Sequence, residues 1–265
     1  MDRQTTAYLE TDRATRPQRR QTSLYPEVES QQLSPQRKRE LLDLCDAIVR
    51  LSGGTAACSD ALDSLGYQRT AMDAGIKPFF PDKGRLCGLA YTIRGANVPG
   101  LPPSSEEVRE VVDVEYYDAI EPGYVLTYGT HAADRGTIVG DVISTIATAK
   151  GAIGCVCDGP IRDLERIKPL NFLPFGPSAA PVSGEGRVLW IEYNCIVQVG
   201  GVWVEPFDIL FGDMDGVVVI PKHLAKEVLT RASLLCEKED AIKADYVRDP
   251  SQGLYDLFRK HDRRA

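Results

Sequence analysis

The chain has 265 residues, a formal net charge of −7 and 43% hydrophobic residues, which is enough for one large domain with a substantial core. Its pI near 5.1 argues against the basic surface that nucleic-acid binding requires, and more weakly against binding to anionic membranes. No apolar run approaches the about 20 residues that span a bilayer, and the N-terminus lacks the apolar core of a secretory signal, so we expect a cytoplasmic protein.

The polar first segment, residues 1–34, predicts a disordered or extended N-terminal arm. Ser34 and Pro35 then carry the cap and first-turn signals of a helix, which Gly53 and Gly54 end. Thr55 is predicted to cap a second, shorter helix that runs through Leu62. Ordered structure therefore begins near residue 35.

Helices and strands alternate along the rest of the chain, with more strands in the second half. Helices are predicted at Glu106–Val114, Asp141–Lys150, within 161–167, from Pro221 to about Ala244, and at Leu254–Lys260. Strands are predicted at 86–93, 124–127, 153–157, around 172, and at 188–191, 196–199, 202–204, 209–211 and 217–220. This mixture predicts an α/β or α+β domain over residues 35–245, followed by a tail, 246–265, with a short helix.

One polar segment begins a predicted helix at Gly140 and Asp141. The first amides of that helix, at Val142 and Ile143, have no acceptor within it, so they can bind an anionic oxygen. Asp141 can orient a water or exchange a proton, but an aspartate in this position is also an ordinary helix cap. Both interpretations stay open from the local sequence.

A second polar segment, with Arg162 and Asp163, follows a short apolar strand. Ligands of open α/β sheets collect beyond the carboxyl ends of strands, where an arginine can bind a carboxylate with two parallel hydrogen bonds. Asp163 offers a hard oxygen ligand for Mg²⁺ or Mn²⁺. The alternative is a surface ion pair of little energetic value.

Other polar residues are interpreted as structural. Asp213 to Gly216 is an acidic turn without the ligand pattern of a calcium loop, and it predicts a hairpin. The isolated His131 and His223 are interpreted as structural or solvated, and the seven scattered cysteines as buried free thiols.

Taken in order and spacing, several short motifs resemble the RraA-like family over roughly residues 50–245. This family includes class II 4-hydroxy-4-methyl-2-oxoglutarate/4-carboxy-4-hydroxy-2-oxoadipate aldolases, and regulators of ribonuclease activity. The motifs are the segments at 59–66, 88–92, 122–126, 140–163, 200–202 and 213–221.

The resemblance implies a β/β/α swivelling-type sandwich with helices flanking the sheets, assembled as a homotrimer or homohexamer with its site between subunits. It further implies that Asp163 ligates Mg²⁺ (or Mn²⁺), that Arg162 contacts the oxygens of a 2-oxo acid, and that Asp141 positions a water. Gly140 lies at the same turn, and the amides of Val142 and Ile143 would help to hold the substrate. A glutamate of the neighbouring subunit, Glu239 or else Glu237, would reach metal-bound water.

Two features depart from the family pattern and bear on the substrate. Pro206-Phe207-Asp208 stands where relatives usually have Pro-Gly-Asp, and the loop at 129–136, with His131 and Arg135, has no match in the family pattern. The first hypothesis is a divalent-metal-dependent carbon–carbon lyase, an aldolase or oxaloacetate-type decarboxylase. The alternatives are a repurposed enzyme acting on a larger dicarbonyl substrate, and a non-catalytic regulator.

Overall fold

The computed structural model describes residues 33–97, 115–130 and 136–262. Most of the predicted arm, the predicted helix Glu106–Val114, and both His131 and Arg135 lie outside these residues. None of the helices in the described ranges combines the length and the apolar character needed to cross a bilayer.

The described helices and strands follow the predicted alternation. The helices are α1 (Pro35–Ile48), α2 (Gly54–Ser64), α3 (Glu115–Asp118), α4 (Asp141–Ala149), α5 (Leu164–Ile167), α6 (Ala225–Arg248) and α7 (Leu254–Asp262). The strands are β1 (Lys77–Pro78), β2 (Leu86–Asn97), β3 (Tyr124–Gly129), β4 (Gly154–Cys157), β5 (Leu173–Gly176), β6 (Val188–Tyr193), β7 (Val197–Val199), β8 (Val202–Val204), β9 (Ile209–Asp213) and β10 (Gly216–Ile220).

The main sheet has the strand order β1-β5-β4-β3-β2-β9-β10, and β6 also pairs with β2. The pairs β2–β3, β3–β4 and β4–β5 are parallel, whereas β2–β9 and β9–β10 are antiparallel. Strands β7 and β8 form a separate hairpin. The three parallel pairs bring the carboxyl ends of β2 to β5 to one edge, where α/β folds place ligands.

Apolar residues cover both faces of the sheet and make a three-layer β/β/α sandwich. One core joins the sheet to α1, α2 and α6, and the other packs the sheet against the β7–β8 hairpin. Strand β10 shows the division, because Val218 and Ile220 belong to the first core while Val217 and Val219 belong to the second. The strand period of two therefore serves two buried faces.

Several helix boundaries differ from the predictions for reasons of tertiary structure. The Ser34 hydroxyl does cap α1, accepting from the Arg37 amide at 3.2 Å. Thr55 was wrongly predicted as a cap, because it lies inside α2 and donates its amide and hydroxyl to Asp213 at 2.9 and 2.8 Å. The last long helix begins at Ala225 rather than Pro221, after a turn closed by the Leu224 amide and the Pro221 carbonyl.

The structure explains two segments that the sequence singled out, the acidic turn at 213–216 and the unusual Pro206-Phe207-Asp208. Asp213 pairs with Gly216 across the β9–β10 hairpin, as predicted. Phe207 has a φ of 69°, in the left-handed region that favours glycine, and its ring is buried 6.1 Å from that of Tyr124. Core packing of the aromatic ring offsets the backbone strain that a glycine would avoid.

Candidate functional site

The candidate site begins where two parallel strands end side by side. Tyr128 of β3 pairs with Cys157 of β4, so the residues that follow these strands are neighbours. Immediately beyond them, the amide and hydroxyl of Thr130 donate to Oδ1 of Asp158 at 2.9 and 2.6 Å. Asp158 thus ties together the two chain segments that leave the sheet.

A short parallel bridge then aligns the two polar segments singled out in the sequence. Val139 pairs with Ile161, the Arg162 amide donates to the Val139 carbonyl at 3.0 Å, and Ile161 is fully buried. Ile161 was predicted to be helical, but it is used in bridges to Val139 and Ala179, so α5 begins only at Leu164. Gly140 consequently lies beside Arg162.

Three polar groups converge at this point. Oδ2 of Asp163 lies 3.3 Å from Nε of Arg162 and accepts from the Asp141 amide at 3.3 Å. A Cβ atom on Gly140 would lie 2.8 Å from Oδ2 of Asp163 and 3.1 Å from Nε of Arg162. Asp163 itself has left-handed backbone angles, with φ 60° and ψ 32°. Such angles are costly for a residue other than glycine, and they are concentrated at functional sites.

The N-terminus of α4 adds backbone donors. Gly140 is the N-cap, and the first helical bond runs from the Ser144 amide to the Gly140 carbonyl at 3.1 Å. The amides of Val142 and Ile143 precede that bond and have no acceptor among the described residues. With the helix dipole, they form a place for an anionic oxygen.

Arg166 is a member of this group that the sequence reasoning missed. Its Nε lies 2.9 Å from Oδ2 of Asp141. The only signal was a basic residue one helical turn beyond Asp163, and an exposed position on a one-turn helix gives no reason to expect a partner 25 positions earlier. The interpretation of Asp141 as a helix cap is wrong, because Gly140 is the N-cap and no side chain caps this helix. The Asp141 carboxylate is instead ion-paired with Arg166.

The donor set fits a divalent cation held by a single protein carboxylate. The described residues contain no group of three or more His, Cys, Asp or Glu side chains that could hold a metal. The Asp163 side chain is 32% exposed, and its Oδ1 has no donor among the described residues. Mg²⁺ commonly takes one or two carboxylates and completes its octahedron with substrate oxygens and water.

The thiols beside the site are structural. Burial raises the pKa of the Cys157 thiol to about 12 and that of Cys155 well above its ordinary range, so both stay neutral. All seven cysteines are free and six are buried, with Cys195 partly exposed. The prediction of free thiols is confirmed, and that of burial holds for all but Cys195.

The predicted glutamates lie on α6, which belongs to the helical layer. Glu239 pairs with Lys243 of the same helix at 3.2 Å. A role for Glu239 or Glu237 in a neighbouring subunit's site stays a prediction, as do the roles assigned to Gly140, Asp141, Val142, Ile143, Arg162 and Asp163. His223 packs edge-on against the Tyr67 ring, with 6.4 Å between the ring centroids. This contact agrees with the structural role predicted for His223.

The fold and the converging polar groups define an α/β sandwich with an anion-accepting helix terminus beside an arginine–aspartate pair. The family model described as RraA-like, Aldolase/RraA, matches residues 55–219. This match covers more than half of the chain, and the chain belongs to the RraA-like family. The fold class inferred from the short motifs is confirmed.

Named relatives and a solved structure agree with this assignment. The chain is 33% identical over 182 residues to a Halalkalibacterium halodurans protein provisionally named 4-hydroxy-4-methyl-2-oxoglutarate aldolase, covering 67% of this chain and 77% of that one. It is 29% identical over 189 residues to Protein DlpA of Legionella pneumophila, covering 71% of this chain but only 29% of DlpA. The crystal structure of a Streptomyces coelicolor member of the RraA protein family, described as an RNase ES inhibitor family, matches with a TM-score of 0.65 at 23% identity, covering 75% of this chain and 94% of that one. That likeness shows the fold alone.

Proposed function

We propose that the protein is a divalent-metal-dependent carbon–carbon lyase that acts on a 2-oxo acid, as an aldolase, an oxaloacetate-type decarboxylase or both. The observation that carries the proposal is the convergence at Gly140 of the Asp163 carboxylate, the Arg162 guanidinium and the α4 amides. The provisional aldolase name of the 33% identical relative supports the same reaction class. Fold alone would not, since one fold hosts many functions.

Asp163 would hold Mg²⁺ or Mn²⁺, and Glu239 of a neighbouring subunit would reach its water if the chain assembles as a homotrimer or homohexamer. When bound, the cation would supply Lewis-acid polarisation of the substrate oxygens. The single-carboxylate donor set leaves most coordination positions to water and to the 2-oxo acid.

Arg162 would bind and orient the 2-oxo acid. Its Nε faces Asp163, while its terminal nitrogens have no partner among the described residues and stay available for a carboxylate. The amides of Val142 and Ile143, at the N-terminus of α4, would donate to a substrate oxygen. Negative charge that develops on the keto oxygen during bond cleavage would meet these fixed donors, which need no reorganisation.

Asp141 would move the proton. In decarboxylation of oxaloacetate, the C3–C4 bond breaks, CO₂ leaves, and the electron pair stays on C3 as the pyruvate enolate, which then takes a proton. In aldol cleavage, the 4-hydroxyl loses a proton, the C3–C4 bond breaks, and a carbonyl product and the same enolate form. Asp141, acting through a water, would accept or return that proton. One enolate thus accounts for both activities.

The test is pyruvate release from oxaloacetate and from 4-hydroxy-2-oxo acids, with Mg²⁺, Mn²⁺ and EDTA compared. We expect the wild-type protein to release pyruvate in the presence of either cation and to lose this activity when EDTA is added. Asp163→Asn should lower activity by at least about 100-fold, because a neutral amide is a poor ligand for a hard cation. Arg162→Lys should lower kcat/KM by about 10- to 100-fold, because lysine keeps the charge but lacks the bidentate fork.

The matched control is Arg231→Lys. Arg231 is 40% exposed and pairs with Glu227 at 2.7 Å, much as Arg162 is 39% exposed and pairs with Asp163, but it lies on α6. It should keep wild-type turnover. Near-normal activity of Asp163→Asn would show that the metal role is wrongly assigned, and no pyruvate from any substrate would remove the lyase proposal itself.

A further inference from the structure

A second arginine–aspartate pair lies beside the one already described. Nε of Arg166 lies 2.9 Å from Oδ2 of Asp141, and the two side chains form an ion pair. The Asp141 side chain is 16% exposed and that of Arg166 is 76% exposed, so the arginine lies over the carboxylate from the solvent side. Among the described residues, the Asp141 carboxylate has no other ion-pair partner and no hydrogen-bond donor.

The turn that carries Arg166 is fixed to the rest of the site. The Arg166 and Ile167 amides both donate to the Asp163 carbonyl, at 2.9 and 3.0 Å. The Ile167 side chain is fully buried and anchors α5 in the core. The left-handed backbone at Asp163 sets the direction of this turn. Arg162, Asp163 and Arg166 therefore form one short unit, and the two arginines serve different aspartates.

This arrangement also separates two negative charges. The Asp141 amide donates to the Asp163 carboxylate, so the two acidic residues are neighbours in space although they are 22 positions apart in the chain. Each has its own guanidinium, Arg162 for Asp163 and Arg166 for Asp141. Arg166 occupies one oxygen of Asp141, and Oδ1 stays open for a water.

We propose that Arg166 is a positioning residue that holds the Asp141 carboxylate, through Oδ2, in the orientation in which its other oxygen exchanges a proton with water. This inference rests on the lyase function proposed above. An exposed ion pair adds little to the free energy of unfolding. The Arg166–Asp141 pair would therefore contribute to the reaction, by orienting the Asp141 carboxylate, rather than to the stability of the fold. Its removal should leave the fold intact and change the reaction.

A double-mutant cycle with Arg166→Met, Asp141→Asn and the combined variant tests this. We expect Arg166→Met to lower kcat for oxaloacetate by about tenfold and to change KM by less than about twofold, because a displaced proton-transfer group affects the chemical step rather than substrate binding. Adding Arg166→Met to Asp141→Asn should lower kcat no further. Arg166→Lys should recover part of the loss.

Lys168→Met is the matched control for loss of one positive charge. Lys168 follows the same turn, is exposed, and has no side-chain partner among the described residues. The kcat of the Lys168→Met variant should therefore equal that of the wild type. If Arg166→Met is as damaging in the Asp141→Asn background as alone, or acts mainly on KM, Arg166 contacts the substrate itself and the proposal is overturned.

A crystal structure of Arg166→Met gives a readout that needs no activity. We expect the Asp141 carboxylate to leave its present orientation while the Arg162–Asp163 pair stays in place. An unmoved Asp141 would overturn the positioning role even in an active lyase. A wild-type protein without pyruvate release would instead remove the lyase function, while the displacement of Asp141 would still show whether Arg166 holds it.

Discussion

Gly140 is the residue at which the two polar segments meet, and its lack of a side chain makes the approach possible. Its φ of −132° and ψ of −172° are ordinary extended values that any residue adopts. The requirement is steric, because a Cβ atom would lie 2.8 Å from the Asp163 carboxylate and 3.1 Å from the Arg162 guanidinium. Glycine here keeps both functional groups against the N-terminus of α4.

Replacing Gly140 with alanine should therefore damage the site more than the fold. We expect Gly140→Ala to lower pyruvate release by at least about tenfold, because displacements of about 1 Å at reacting groups carry large rate penalties. The melting temperature should change little, since the Cβ meets side-chain ends that can move. Gly75→Ala is the control, because nothing lies within 4 Å of its added Cβ. Equal activity of both variants would contradict the steric argument.

At the scale of elements, the sequence predicted a helix correctly where its boundaries are set by residues that lie close together in the chain. The helix predicted at Asp141–Lys150 is observed at Asp141–Ala149, since its cap, period and terminating glycine are all close in sequence. The proximity of Gly140 and Arg162 was also predictable, because parallel strands bring their carboxyl ends together.

Contacts between distant residues account for what was missed. Thr55 looked like a cap, but its partner Asp213 is 158 positions away. The Asp141–Arg166 pair depends on a left-handed turn at Asp163, a conformation that aspartate adopts only occasionally and that no sequence rule assigns to this position. Most strand segments were recognisable from apolar runs, but β1 at Lys77–Pro78 was not predicted, and neither was the order of the strands in the sheet.

The two C-terminal helices are joined by a small charged cluster. Asp245, near the end of α6, accepts from Lys260 at 2.6 Å and from His261 at 3.0 Å, both on α7. Leu257 of α7 is buried beside them. Hydrogen bonds from Lys260 and His261 lower the pKa of Asp245 to about 2.

We predict that α7 is released in acid. The pKa of Asp245 is lower in the folded protein than in the unfolded chain, so its contribution is complete above the ordinary aspartate value near 3.9 and is lost as the pH falls through about 2. Hydrogen exchange at residues 254–262, corrected for intrinsic rates, should rise between pH 4 and pH 2 ahead of exchange in the central strands. Asp245→Asn should show the same local exchange at pH 7.

The control for that helix is Asp43→Asn, which removes an exposed carboxylate of α1. It should leave exchange in α7 unchanged. If protection of α7 is the same at pH 2 and pH 5, Leu257 and its apolar neighbours hold the helix without help from the charged cluster.

At the scale of the whole molecule, stability depends on a sheet that is buried on both faces. Strand β2 lies at its centre, paired with β3, β6 and β9. Its residues alternate between the two cores, with Leu89 facing the helices and Ala90 facing the β7–β8 hairpin. A change at the middle of β2 therefore affects global unfolding rather than local opening.

Two threonines in this region form a matched comparison. Thr92 of β2 and Thr127 of β3 are register partners, and both side chains are fully buried. The Thr127 hydroxyl donates to the Val125 carbonyl at 2.9 Å. The Thr92 hydroxyl has no hydrogen-bond partner among the described residues. A buried hydroxyl without a partner carries a desolvation cost that nothing offsets.

Valine, which matches threonine in shape, should therefore have opposite effects at the two positions. Thr92→Val should raise the free energy of unfolding by about 1 kcal/mol, because it removes the unpaired hydroxyl and keeps the packing. Thr127→Val should lower it by about 1 kcal/mol, because a satisfied hydrogen bond is lost. Urea unfolding of the wild type and both variants measures these shifts, and an unchanged m-value would show that the unfolding transition is the same. If Thr92→Val destabilises the protein as much as Thr127→Val does, the Thr92 hydroxyl has a partner in solution and the sheet centre is more polar than the structure indicates.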